Sequence, residues 1–199
     1  MNHSQYHEQR LRVAINRRTN AEQGSVNNRI PPEFVSCSED GMKCTVRYRL
    51  KPEMRNPMGW LHGGVTSAMM DMGMGLLVYY NADFHLCPTA TMTVNYIRPG
   101  RIGGNLIVES EITFRGRKLF HASARGWMED TPDKLVCTAT ATYAVTPKAD
   151  AAHAENKRLR EQAAKEGRVP ATSEKKFSSS RFFLILFTQC THSYGILNM

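Results

Sequence analysis

The run from Leu61 to Tyr80 limits the possible folds more than any other part of this chain. It is almost wholly apolar and carries one acidic residue, Asp71, near its centre. A helix this apolar is buried on most sides, so the rest of the chain must supply a broad surface to cover it. Its length alone would also permit a membrane span. A charge at the centre of a span costs about 2.5–3.5 kcal/mol on insertion scales. Four glycines also lie within the run, and the flanking segments read as soluble strands. A core helix is the reading that fits.

The covering surface is a sheet. Residues 34–38 and 42–50 read as two short strands around the turn Glu39-Asp40-Gly41. In the second, Met42, Cys44, Val46, Tyr48 and Leu50 alternate with Lys43, Thr45, Arg47 and Arg49, the period of a half-buried strand. After the helix, residues 89–97, 105–114, 119–128 and 135–145 are rich in Val, Ile, Thr, Phe and Tyr. Arg115-Gly116-Arg117-Lys118 closes one hairpin and Asp130-Thr131-Pro132-Asp133 marks another turn. The order β-β-α-β-β-β-β, one long helix against a large antiparallel sheet, predicts an α+β fold.

The termini read differently. Residues 1–29 are a variable segment in which 5–23 could form a helix, with a weak apolar face at Leu11, Val13, Ala14 and Ile15. Residues 30–147 hold the domain. Residues 148–199 are a charged extension, read as a solvated helix or a disordered tail over 148–176. Its short apolar run at 182–187 could touch a membrane or a partner, and an incidental extension is the preferred reading.

The net charge of +8 suits an anionic partner. Lys and Arg are scattered rather than clustered, which favours a general surface or a phosphate-bearing ligand over nucleic acid. The five cysteines form no CxxC pair and have no zinc spacing to histidine, so reduced thiols and no metal site are expected. Residues 1–25 lack the apolar core of a secretory signal. A cytoplasmic protein is expected, and the N-terminal arginines leave a mitochondrial one open.

The chemistry concentrates in Asn56-Pro57-Met58-Gly59-Trp60-Leu61-His62-Gly63-Gly64, followed by Asp71. A helix starting near His62 or Gly63 leaves its first N–H groups unpaired at the positive end of the dipole. Glycine there lets a ligand approach the backbone, where a carbonyl oxygen gaining charge would be stabilised. A lone buried carboxylate costs free energy unless paired or used. Asp71 could therefore serve as general base on water or as nucleophile, or could instead cap a neighbouring loop. His62 lies nine residues before Asp71, on the opposite helix face and about 13 Å away along the axis. The two cannot meet within one straight helix. Two such helices packed antiparallel about a two-fold axis would bring the start of each to the middle of the other, twice.

The run NPMGWLHGGVTSAMMDMGMG, with TATMTVNYIRPG after it, resembles hotdog-fold acyl-CoA thioesterases of the phenylacetate-degradation type. The resemblance covers roughly residues 30–147. It implies a sheet wrapped around the long helix, and homodimers that can pair again into tetramers. It also implies hydrolysis of acyl-CoA thioesters without a cofactor. Position by position, Asp71 corresponds to the base or nucleophile and Gly63 to the amide that polarises the thioester carbonyl. Asn56 corresponds to the residue holding water or carbonyl, and His62 to the partner orienting the helix start. Thr89 matches a Ser/Thr position near the acidic residue. Asn56, His62 and Gly63 of one subunit would meet Asp71 and Thr89 of the other. On the residues alone, His62 could be a helix cap or core histidine, Asn56 a turn residue and Thr89 a plain strand residue. Gly64, Arg98, Arg101, Arg115, Arg117 and Lys118 are candidates for the coenzyme A moiety, since arginine suits phosphate. Two other functions stay open: a hotdog enoyl-CoA hydratase or dehydratase, and a non-catalytic acyl-CoA sensor or scaffold.

Overall fold

The structure, a computed structural model, describes residues 3–145 and the single helical positions 154 and 158. The rest of the extension over 148–199, with the run at 182–187 and Cys190, lies outside the described residues. The compact unit Met1–Glu155 holds every element named below.

The chain runs α1 (His3–Asn20), α2 (Val26–Arg29), β1 (Glu33–Cys37), β2 (Lys43–Arg49), a 3-10 turn (Pro52–Met54), α3 (Gly63–Asn81), β3 (Thr89–Tyr96), β4 (Asn105–Arg115), β5 (Leu119–Met128) and β6 (Leu135–Ala144). The strands form one sheet in the order β1-β2-β4-β5-β6-β3, antiparallel throughout. α3 carries the chain from β2 across the sheet to its far edge, where β3 pairs with β6; β4 then returns to lie beside β2. The α+β class and the wrapped central helix expected from the sequence are borne out.

Alternation decides which side chains meet the helix. In β2, Cys44, Val46 and Tyr48 are buried while Lys43 and Arg49 are exposed. The same period brings Leu106 and Val108 of β4, Ala122 and Ala124 of β5, and Ala139, Ala141 and Tyr143 of β6 into one core with Met69, Met70, Met74 and Leu77 of α3. Gly73 lets helix and sheet approach closely: a Cβ there would stand 3.1 Å from Val108 Cγ1.

α1 packs through Leu11 and Ala14, both fully buried, and Val13 of the expected face is exposed. It ends at Asn20, and a short capped turn at Val26–Arg29 follows where one helix to 23 was expected. His7 of α1 bonds the Tyr80 hydroxyl and lies against Gly41. Gly41 closes the β1–β2 turn at φ +68, and a Cβ there would come within 2.6 Å of His7 Nδ1. Glycine is required on both counts.

α3 was expected to be buried on most sides, and one side of it is open. It is covered on the sheet side, but Gly64, Ser67, Ala68, Asp71, Met72, Gly75 and Tyr79 are exposed or half-buried at three- and four-residue spacing. The single-chain sheet ends at β3 and leaves this stripe open.

Candidate active site

The loop before α3 is built by backbone bonds. Asn56 N–H donates to Trp60 O, and the Asn56 side-chain oxygen accepts Met58 N–H at 2.9 Å and Trp60 N–H at 3.1 Å. These bonds fix a tight turn and occupy the Asn56 carbonyl, leaving its NH2 as the group that could serve a ligand. His62 is the N-cap of α3. Its Nδ1 accepts the Gly64 N–H at 2.9 Å, so the first-turn amide that His62 satisfies is that of Gly64, not Gly63.

Tyr96, at the end of β3, covers the same helix start. Its hydroxyl donates to Gly63 O at 3.0 Å and lies 2.5 Å from Ser67 Oγ. A cleft of about 310 Å³ opens here, lined by Asn56, Met58, Trp60, Gly63, Tyr96 and Arg98 among others. Met58, Trp60, Tyr96 and Ile97 give it an exposed apolar rim.

Asp71 and Thr89 do not line that cleft. Asp71 is half-buried in the single chain rather than buried. Its Oδ1 accepts Thr89 Oγ1 at 2.8 Å and the Tyr143 hydroxyl at 3.1 Å. Thr89 and Tyr143 are directly paired across β3 and β6, and the register shifts just after Thr89. Burial and the neighbouring Asp71 charge push the Tyr143 phenol well above the usual range, so it remains a protonated donor. The structure thus brings Asn56, His62, Gly63 and Arg98 together at the helix start, and Thr89 to Asp71. Gly63 lies eight positions before Asp71, about 12 Å of helix.

The basic candidates are divided. Arg98 lines the cleft and donates to Leu135 O at 2.9 Å. Arg101 pairs with Asp130. Arg115, with its guanidinium 6.0 Å from the Phe120 ring centroid, lies with Arg117 and Lys118 in the exposed β4–β5 hairpin, away from the helix start. Among the described residues, no group of histidine, cysteine or carboxylate side chains could hold a metal ion, and no helix is long and apolar enough to cross a membrane. Sequence reasoning missed Tyr143 and Tyr96. The signal for Tyr143 was present: a bulky phenol ends the inward row Cys137, Ala139, Ala141, and a buried tyrosine hydroxyl usually has a partner.

Residues 58–143 match the model of the thioesterase superfamily. Over that segment the chain is similar to the thioesterase superfamily. The fold agrees with a phenylacetic acid degradation-related putative thioesterase from Ralstonia eutropha, at TM-score 0.56 and 24% identity over 66% of this chain and 99% of that one. It agrees equally with zebrafish thioesterase superfamily member 2, at TM-score 0.58 and 21% identity over 66% and 94%. A Streptococcus mutans protein bound to acetyl-CoA matches at TM-score 0.52 and 22% identity over 58% and 88%. No curated relative matches the chain. The resemblance drawn from the sequence agrees with these findings in its hotdog fold and in its likeness to the thioesterase superfamily.

Proposed function

We propose that this protein hydrolyses acyl-CoA thioesters in two equal sites shared across a homodimer. The observation that carries the reading is an oriented carboxylate, Asp71, in an apolar helix whose own N-terminus opens into a cleft. The acetyl-CoA held by the Streptococcus mutans protein supports the substrate class.

In this reading the thioester carbonyl oxygen lies against the Gly63 N–H, the first-turn amide left uncapped by His62. The Asn56 NH2 holds the carbonyl or the attacking water. Asp71 of the other subunit takes the proton from that water as it adds to the carbonyl carbon, or adds directly as nucleophile to give a mixed anhydride that water then hydrolyses, releasing the acid and regenerating the carboxylate. The tetrahedral oxyanion is stabilised by the amide and the helix dipole, and collapse expels the coenzyme A thiolate. Thr89 keeps Asp71 in place.

Two features support the dimer. The outer edge of β3 has no strand partner among the described residues, and an open edge is a template for pairing. The uncovered stripe of α3 includes Gly64, Ser67, Ala68 and Gly75, small enough for a second helix to approach. Antiparallel packing about a two-fold axis would set Asp71 opposite the partner's helix start.

The test is release of free thiol from acetyl-, octanoyl- and phenylacetyl-CoA. Asp71→Asn keeps an oxygen for Thr89 and Tyr143 and removes the base. A loss of about 100- to 10,000-fold in kcat is expected. Full activity in that variant, or tight acyl-CoA binding without thiol release by the parent protein, would refute the reading.

A further inference from the structure

Asp71 is held asymmetrically. Thr89 and Tyr143 both donate to Oδ1, at 2.8 and 3.1 Å, and the Tyr143 hydroxyl also lies 3.1 Å from the Asp71 backbone oxygen. No hydrogen bond reaches Oδ2 among the described residues. A carboxylate can accept on both oxygens, so placing both donors on one leaves the other open and fixes the plane of the group. Three elements enforce this. α3 presents Asp71 on its uncovered stripe, β3 brings Thr89 at its first residue, and β6 brings Tyr143 directly opposite Thr89. Tyr143 is 1% exposed, with Phe120 of β5 paired on its other side, so the phenol has little freedom to turn away.

We infer that Tyr143 is a positioning residue: together with Thr89 it clamps the Asp71 carboxylate by Oδ1, and so makes Oδ2 the oxygen that takes the proton or attacks the carbonyl. The inference rests on the thioesterase reading of Asp71. Tyr143 itself touches no substrate. It acts by holding the base at one angle, and a misdirected base loses rate without losing substrate affinity.

A purely structural alternative exists, since a buried tyrosine hydroxyl needs a partner for its own sake. The molecule supplies the control. Tyr48 is equally buried, its hydroxyl lies by Gly73 on the sheet side of α3 rather than by Asp71, and that hydroxyl has no partner among the described residues. Tyr48→Phe therefore removes a buried hydroxyl without touching the clamp.

The experiment measures kcat and KM for thiol release by the full chain, on the fastest of the three acyl-CoA probes, for Tyr143→Phe, Tyr48→Phe and each in the Asp71→Asn background. Tyr143→Phe is expected to lower kcat roughly tenfold, the loss typical of one hydrogen bond to a charged group, with KM unchanged. Tyr48→Phe should leave both constants as they were. In Asp71→Asn, adding Tyr143→Phe should lower the residual rate no further. If Tyr143→Phe fails to fold, Thr89→Val removes the other donor from the same oxygen; it should lower kcat alone, with recovery in Thr89→Ser. Wild-type kcat in Tyr143→Phe overturns the inference. So does an equal fall in the Asp71→Asn background, or, in the fallback arm, wild-type kcat in Thr89→Val. Full activity of Asp71→Asn instead sinks the hydrolase reading itself, which keeps the two failures distinct.

Discussion

Gly73 and Gly75 stand two residues apart inside α3, and alanine at the two positions should move stability in opposite directions. Glycine to alanine in a helix interior gains about 1 kcal/mol from propensity. That gain is common to both sites and cancels in their difference. At Gly75 the new Cβ would sit 3.5 Å from the Tyr143 ring, an ordinary contact, so the gain is kept. At Gly73 it would sit 3.1 Å from Val108 Cγ1 and 3.2 Å from Ser110 Oγ. Val108 and Ser110 are 0% and 1% exposed, and buried side chains in a close-packed interior give way at a cost. Overpacking of this kind costs about 1–3 kcal/mol. Gly73→Ala is thus expected to be destabilising by up to about 2 kcal/mol, and Gly75→Ala stabilising by about 1 kcal/mol. For a chain of this size each kcal/mol shifts Tm by about 2–4 °C. Urea unfolding followed by circular dichroism, at one protein concentration, reads the difference. Equal stabilisation in both variants would refute the close approach of α3 to β4 at Gly73.

Further outcomes follow from the caps and the thiols. His62→Ala frees the Gly64 N–H and should cost about 1 kcal/mol in the same unfolding assay; no change would show that the cap is idle. Burial pushes the Cys44 and Cys137 thiols up to about 12, so neither should react with iodoacetamide at neutral pH until the protein is unfolded, as peptide mapping would reveal. The Asp40 carboxyl is held below its usual range by the Ser38 hydroxyl and the Met42 N–H. Its contribution is present above the ordinary carboxylate range and lost as pH falls through it. Asp40→Asn should therefore reduce the acid sensitivity of Tm by a small amount, the group being almost fully solvated.

Much of this fold was legible because its elements carry strong periodicity. β5 falls on residues 119–128, the segment its composition and flanking turns mark, and the buried row of β2 is the one its alternation names. The start of α3 was legible as well: a helix beginning near His62 or Gly63 was expected, and the chain forms bridges at Trp60 and Leu61, to Arg101 and Arg55, before His62 caps the helix and Gly63 opens it. Strand order was not legible at all. Nothing in residues 89–96 says that they pair with β6, and that pairing is what brings Thr89 and Tyr143 to Asp71. For the same reason Asp71 reads as buried in the sequence and is half-buried in the chain: it faces the border of the sheet, which a helical pattern cannot locate.

The claim that the helix start of one chain serves the Asp71 of another is tested most directly by mixing two inactive variants. Asp71→Asn lacks the base. Gly63→Pro lacks the amide, at a first helical position where proline is tolerated, and should lose about 100- to 1,000-fold in kcat. Unfolded and refolded together in equal amounts, the two should recover about one quarter of the parental rate, because half the dimers are mixed and each mixed dimer has one intact site. A mixture no more active than its components would contradict the shared site.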